Sequence, residues 1–169
     1  MTVKDVHKLI RGSSTDWLMV DGGWATDRHW IVPAGRVAGL LDAFNLEGVA
    51  GRYEVGAKVS YLGELPADQR QALARLLDPA LYVRPLSPLV FRKRQAEVYG
   101  ADVKAYLSVF VDAADDERHV FIRSDFLKFI GIEGQALRQA DPEKNGVAPV
   151  GVFSEAGDLT AVVCPVRPW

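Results

Sequence analysis

His29-Trp30-Ile31-Val32 runs through Pro33 into a segment that sets Val37, Leu40, Leu41 and Phe44 on one helical face, and Leu46-Glu47-Gly48 ends it. An aromatic and β-branched run reads as a strand, a proline suits the first turn of a helix, and a glycine past the last apolar residue suits its close. The same order of parts returns later as His119-Val120-Phe121-Ile122, a shorter helical stretch bearing Phe126, Leu127 and Ile130, and then Ile132-Glu133-Gly134. Two such echoes predict an α+β fold made of two strand-helix-strand half-units, with antiparallel sheets and a few short helices.

Working outward, Thr2 with Asp5 three residues on reads as a helix start, and Val3, Val6, Leu9 and Ile10 supply its apolar face before Gly12. Trp17 to Val20 reads as a strand, Asp21-Gly22-Gly23 as a tight turn, and Trp24 to Val32 as one return strand. From Arg52 to Tyr61 the period is two, which predicts a single strand with Tyr53, Val55, Ala57, Val59 and Tyr61 on one face. Pro66 starts a third helix bearing Leu73, Leu76 and Leu77, and Pro79 ends it.

The stretch through Pro85, Pro88 and Arg92-Lys93-Arg94 reads as a connector, so the halves fall at about 1–84 and 95–169 of a single domain. Beyond it, Val103 to Val111 alternates as a strand, and Asp112 to Glu117 reads as a solvated turn before the strand at His119. Ser124 is placed as the cap of the next helix, and Val150 to Phe153 pairs with Leu159 to Val163 across a turn at Gly157-Asp158.

The 169 residues suffice for a packed core, and 49% apolar with 25% charged residues is ordinary globular composition. A formal charge of −2 supplies no general attraction to nucleic acid. A lone Cys164 forms no internal disulfide, the first residues form no apolar leader, and no apolar run is long enough to span a bilayer. These features point to the cytoplasm and to no membrane partner.

Chemistry-bearing patterns are few. No Gly-x-Ser-x-Gly elbow, phosphate-cradling glycine loop or dinucleotide fingerprint occurs, which argues against those enzyme classes, and no cofactor is expected. Asp27 and His29, two apart on the expected strand, are the one candidate start of a metal site, with His7, Asp21, Asp112 or His119 as completing ligands. The Asp112–Glu117 run lacks the spacing and glycine of a calcium loop. Arg92, Lys93 and Arg94 are candidate phosphate contacts, and Trp24, Trp30 and Trp169 candidate partner anchors.

Ala25-Thr26-Asp27-Arg28-His29-Trp30-Ile31 resembles the Ala-Thr-Asp-Gly-His-Arg-Leu strand of bacterial sliding clamps, the β subunit of DNA polymerase III. Ile31-Val32-Pro33-Ala34 with Val37, Leu40 and Leu41 is similar to the clamp strand that enters a helix through proline. Phe121-Ile122-Arg123-Ser124-Asp125-Phe126-Leu127 stands in the place of the clamp's last strand-to-helix element. Ala148-Pro149-Val150-Gly151-Val152, Leu159 to Val163 and Cys164-Pro165-Val166-Arg167 are similar to its ending. The segments occur in the family's order. Arg28 stands where the family has glycine, and Trp30 where it has arginine.

The resemblance implies a clamp-like domain whose partner is a protein carrying a short linear motif, as polymerases and other replication proteins do. It implies a peptide pocket of Thr26, His29, Trp30, Ile31, Val162, Cys164 and Pro165, with Trp30 partly exposed as its anchor. Double-stranded DNA and further copies of the chain are the other partners it implies. The expected function is noncatalytic binding to replication or repair proteins. Its rivals are a small metal-dependent enzyme centred on Asp27 and His29, and a phage or host-interaction protein acting as an inhibitor or adaptor.

Overall fold

A computed structural model describes residues 1–12, 17–46, 48–88, 107–141 and 148–166, with Asp116 and Glu117 described by their backbone alone. The chain is mixed α+β, its sheets antiparallel, and it divides into two compact units, Met1–Asp78 and Pro79–Trp169. Among the described residues no helix is long and apolar enough to cross a membrane.

The first unit opens with α1 (Val3–Arg11), whose capping box is complete: the Thr2 hydroxyl accepts from the Asp5 N–H, and the Asp5 carboxylate accepts from the Thr2 N–H. Val6, Leu9 and Ile10 bury its apolar face. β1 (Trp17–Asp21) turns through Gly22 and Gly23, at φ +56° and +84°, into β2 (Trp24–Thr26). Two successive positive φ values suit the twist of a two-residue hairpin, and glycine reaches them without strain.

The expected single strand from Trp24 to Val32 is instead a hairpin. β2 ends at Thr26, the chain reverses over Asp27–His29, and β3 (Trp30–Pro33) returns with Ala25 opposite Val32 and Thr26 opposite Ile31. Pro33, expected to open the second helix, instead closes this strand, and α2 (Gly35–Asp42) starts two residues later, burying Val37, Leu40 and Leu41 before Asn45 takes φ +58°.

The run Arg52–Tyr61 also divides, into β4 (Gly51–Val55) and β5 (Val59–Gly63) around a turn in which the Gly56 N–H donates to the Lys58 carbonyl. Val55 lies directly opposite Val59, so odd-numbered residues keep the same face after the reversal and the period of two passes through the turn unbroken. Ala57, expected on the buried face, is therefore an exposed turn residue. The sheet order of the first unit is β5-β4-β1-β2-β3, and α3 (Ala67–Leu76) follows, burying Leu73.

The second unit begins with β6 (Tyr82–Pro88), where a connector was expected. Pro85 is tolerated because its ladder partner lies on the β9 side, while its carbonyl accepts from the Ala113 N–H. β7 (Leu107–Asp112) and β8 (Asp115–Arg123) form a hairpin whose turn is Ala113-Ala114, so the acidic run is mostly strand. α4 (Ser124–Ile130) follows. Its Ser124 hydroxyl pairs with that of Ser108 at 3.0 Å instead of capping the helix, and Gly131 ends it at φ +76°.

β9 (Ala136–Ala140), β10 (Val150–Phe153) and β11 (Leu159–Val163) complete the order β11-β10-β9-β6-β7-β8. β10 and β11 pair as expected, Gly151 facing Val162. Just past β11, the Val166 N–H donates to the Phe121 carbonyl, so the tail fastens onto β8 at the far end of this unit's own strand order. There Val166 packs on a cluster of Leu107, Val109 and Phe121.

The two units share one connectivity. In each, three consecutive antiparallel strands lead into a helix, and the next strand returns beside the first of the three: β4 beside β1, and β9 beside β6. The strand orders β5-β4-β1-β2-β3 and β10-β9-β6-β7-β8 are then equivalent, with α2 matching α4. The echo of His29–Gly48 in His119–Gly134 is the sequence trace of this repeat.

Close approach of chain to chain makes Gly51 indispensable. Its φ is +145°, and a Cβ there would stand 2.5 Å from the Gly63 carbonyl oxygen and 2.5 Å from the Tyr61 ring. Gly51→Ala is expected to cost about 2–3 kcal/mol, since both the backbone conformation and the contact with Gly63 are strained. Urea unfolding of the variant measures it, and a midpoint equal to that of the parent would contradict this account.

Candidate functional site

Asp27 builds the turn between β2 and β3. Its side chain is fully buried, and Oδ1 accepts from the N–H groups of His29, at 2.8 Å, and Trp30, at 3.2 Å. The Thr26 hydroxyl accepts from the Arg28 N–H at 3.0 Å. These bonds hold Arg28 at φ +80°, a conformation few side chains adopt, and its guanidinium lies 4.2 Å from the centre of the Trp17 ring. Short polar side chains bonding to nearby backbone in this way are what turn a chain out of a strand.

Asp27 and His29 therefore do not project together from a strand face. His29 Nδ1 stands 3.8 Å from Asp27 Oδ1, an oxygen already accepting two backbone bonds. Among the described residues no group of three or more His, Cys, Asp or Glu side chains is placed to hold a metal ion.

Of the residues assigned to a peptide pocket, Thr26, His29, Trp30 and Ile31 belong to the first unit, and Val162, Cys164 and Pro165 to the second. His29, Cys164 and Pro165 are half-buried, whereas Thr26, Ile31 and Val162 are buried. Trp30, expected partly exposed, is 1% exposed: Asp27 captures its N–H, and its indole is one of the largest fully buried side chains of the chain. Arg92, Lys93, Arg94 and Trp169 lie outside the described residues, and Trp24 is half-buried.

The second unit carries a concavity that the sequence did not reveal. A cleft of ≈ 560 Å³ is bounded by Leu86 of β6, Val109 of β7, Leu127 of α4 and Leu137 of β9, with the Ser108–Ser124 hydroxyl pair and Gln135 as polar points. Gln135 is held in turn, its amide nitrogen donating to the Gly131 carbonyl and its oxygen accepting from the Thr160 hydroxyl. The contributing residues are spread from 86 to 137, so no local pattern could have announced it. Mainly apolar walls with a few convergent polar groups suit a ligand bound through apolar contact.

Asp112, expected in a solvated turn, is buried in the same unit. Its carboxylate accepts from the Ala114 N–H at 2.9 Å and from Arg84 at 3.1 Å, with Arg118 at 4.0 Å, while Arg84 also approaches Asp141 and Arg118 donates to Gln139. Burial by itself would raise the carboxyl's pKa, but the Ala114 N–H and the two guanidiniums outweigh it and hold the group below its ordinary 3.8. A folded-state pKa below the unfolded value gives stability that is present above about pH 4 and is lost as pH falls through the folded value. The urea midpoint of Asp112→Asn is expected to fall less steeply than that of the parent as pH drops below 4. Identical pH dependence in the two proteins would contradict it.

Comparisons with known protein families, with curated proteins and with solved structures found no match to this chain.

Proposed function

We propose that this chain is a noncatalytic, clamp-like binding protein of the cytoplasm that engages replication or repair proteins. The observation that carries the reading is the Thr26–His29 turn. Arg28 holds φ +80° at the one position in Ala25–Ile31 where the sliding-clamp strand has glycine, the residue that suits such a backbone. The repeated order of strands and helix supports it further, as does the strand that meets a helix at Pro33-Ala34. Asp27 Oδ1 accepts from the backbone of its own turn, which supports a structural role for it beneath a binding loop.

A partner peptide meets this turn through its half-buried member, His29, while Trp30 and Ile31 support it from within. The test is fluorescence anisotropy with a labelled peptide carrying the short linear motif by which polymerases engage sliding clamps. Saturable binding is expected, weakened about tenfold by His29→Ala at unchanged melting temperature. No binding by the parent protein would overturn the reading. Duplex DNA binding that falls steeply with salt would extend it to a nucleic-acid partner.

A further inference from the structure

β5 stands at the outer end of the first unit's strand order, and among the described residues no strand pairs along its free side. An open edge offers a row of backbone N–H and C=O groups to any strand that fits it, and proteins ordinarily blunt such edges with proline or charge. Val59-Ser60-Tyr61-Leu62-Gly63 carries neither. Ser60, Tyr61 and Leu62 are exposed in succession, with Tyr61 set edge-on to the buried Tyr53 of β4. In the second unit, by contrast, the outer strand β8 is met by Val166 at Phe121.

What fits the β5 edge follows from its own sequence. Two copies of the strand related by a two-fold axis normal to the sheet pair antiparallel, with each residue opposite one of the same face. In the register centred on Tyr61, Tyr61 meets Tyr61 of the second copy, Ser60 meets Leu62, and Val59 meets Gly63. One residue beyond the strand at each end, Lys58 meets Glu64, and the symmetry makes that pair twice. Both side chains are exposed, and neither has an ion pair among the described residues. Centring the pair on Ser60 would set Lys58 against Leu62 and Glu64 against Gly56, and centring it on Leu62 would set Glu64 against Ser60 and Lys58 against Pro66. Only the Tyr61 register joins opposite charges across the strands, the arrangement that stabilises a strand pair.

We propose that β5 is a dimer interface, pairing antiparallel with β5 of a second copy of this chain in the register centred on Tyr61. The contact is isologous, so it uses each edge once and closes at two chains instead of growing into a filament. With one short strand from each copy it belongs among the small, transient interfaces, and dissociation is expected in the micromolar range. The pairing is independent of the clamp reading and of the turn at Asp27.

Sedimentation equilibrium of the intact chain over a concentration series tests it, and a monomer–dimer equilibrium is expected. Lys58→Glu and, separately, Glu64→Lys turn both symmetry-related pairs from attraction to repulsion. Each is expected to weaken dimerisation about tenfold while leaving the melting temperature of the dilute protein unchanged, since both positions are exposed. Combining the two substitutions restores opposite charges in the same register and is expected to return the dissociation constant to within about threefold of the parent. A chain that stays monomeric to about 1 mM would overturn the proposal and leave the edge to a different protein. So would a dimer that none of these variants alters, or one that both single variants weaken and the double variant does not restore. Assembly beyond two chains would likewise exclude the closed two-fold contact.

Discussion

Trp30→Ala is expected to lower the unfolding free energy by about 3–5 kcal/mol, the cost of deleting a large buried aromatic whose surroundings only partly collapse. Trp30 is among the largest fully buried side chains, and it follows directly the turn that Asp27 organises. Removing the indole empties the start of β3, so the melting temperature should fall with it. Urea titration followed by circular dichroism measures the loss. A change under about 1 kcal/mol would mean that Trp30 does not pack as described and would return it to the role of exposed anchor. The His29→Ala variant has no such cost, because its side chain is half-buried, and it therefore separates binding from folding.

The second large effect is expected at Asp27. Asp27→Ala leaves the N–H groups of His29 and Trp30 without their shared acceptor in the interior of the turn, at a cost of about 3 kcal/mol. Asp27→Asn keeps an oxygen in place of Oδ1 and should cost roughly half as much, since the acceptor survives and only its charge is lost. The same urea experiment ranks the two. Equal losses in both variants would show that the charge, and not the acceptor geometry, holds the turn.

Both predictions concern a place where the sequence misled. Trp24 to Val32 has the composition of one strand, and nothing in its alternation marks a reversal at Asp27. The reversal depends on two short side chains, Thr26 and Asp27, bonding to backbone two and three residues ahead, and on Arg28 accepting a backbone that usually signals glycine. Arg52 to Tyr61 hid its turn for a different reason, since the Val55–Val59 pairing preserves the parity of the pattern. In Asp112–Glu117 the charge suggested solvent, yet Arg84 and Arg118 sit far along the chain from Asp112 or in the next strand, where inspection of the run alone could not pair them.

What was legible was whatever depended on near neighbours. The Thr2–Asp5 capping box, the apolar faces of α1 and α2, the Gly22-Gly23 hairpin and the β10–β11 pair all follow from residues within a few positions of one another. The repeat was legible because two copies of one pattern can be compared without knowing either structure. Of the site residues, the sequence singled out Asp27 and His29 but assigned them to a strand face. The cleft of the second unit escaped because β6, β7, α4 and β9 must be brought together before it exists.

The fastening of Val166 to Phe121 bears on how the two units acquire their folds during synthesis. Every strand pairing within the first unit is satisfied once Gly63 has been made, so that unit can begin to fold while the rest of the chain is still on the ribosome. The second unit has no such freedom. β6 must wait for β9, and β8 gains its outer neighbour only when Val166 emerges, so the closing contact spans about half of the unit's length and comes last. Until then β8 presents an open strand edge, and the interval between the two folding events is when this chain is most exposed to pairing with the wrong partner.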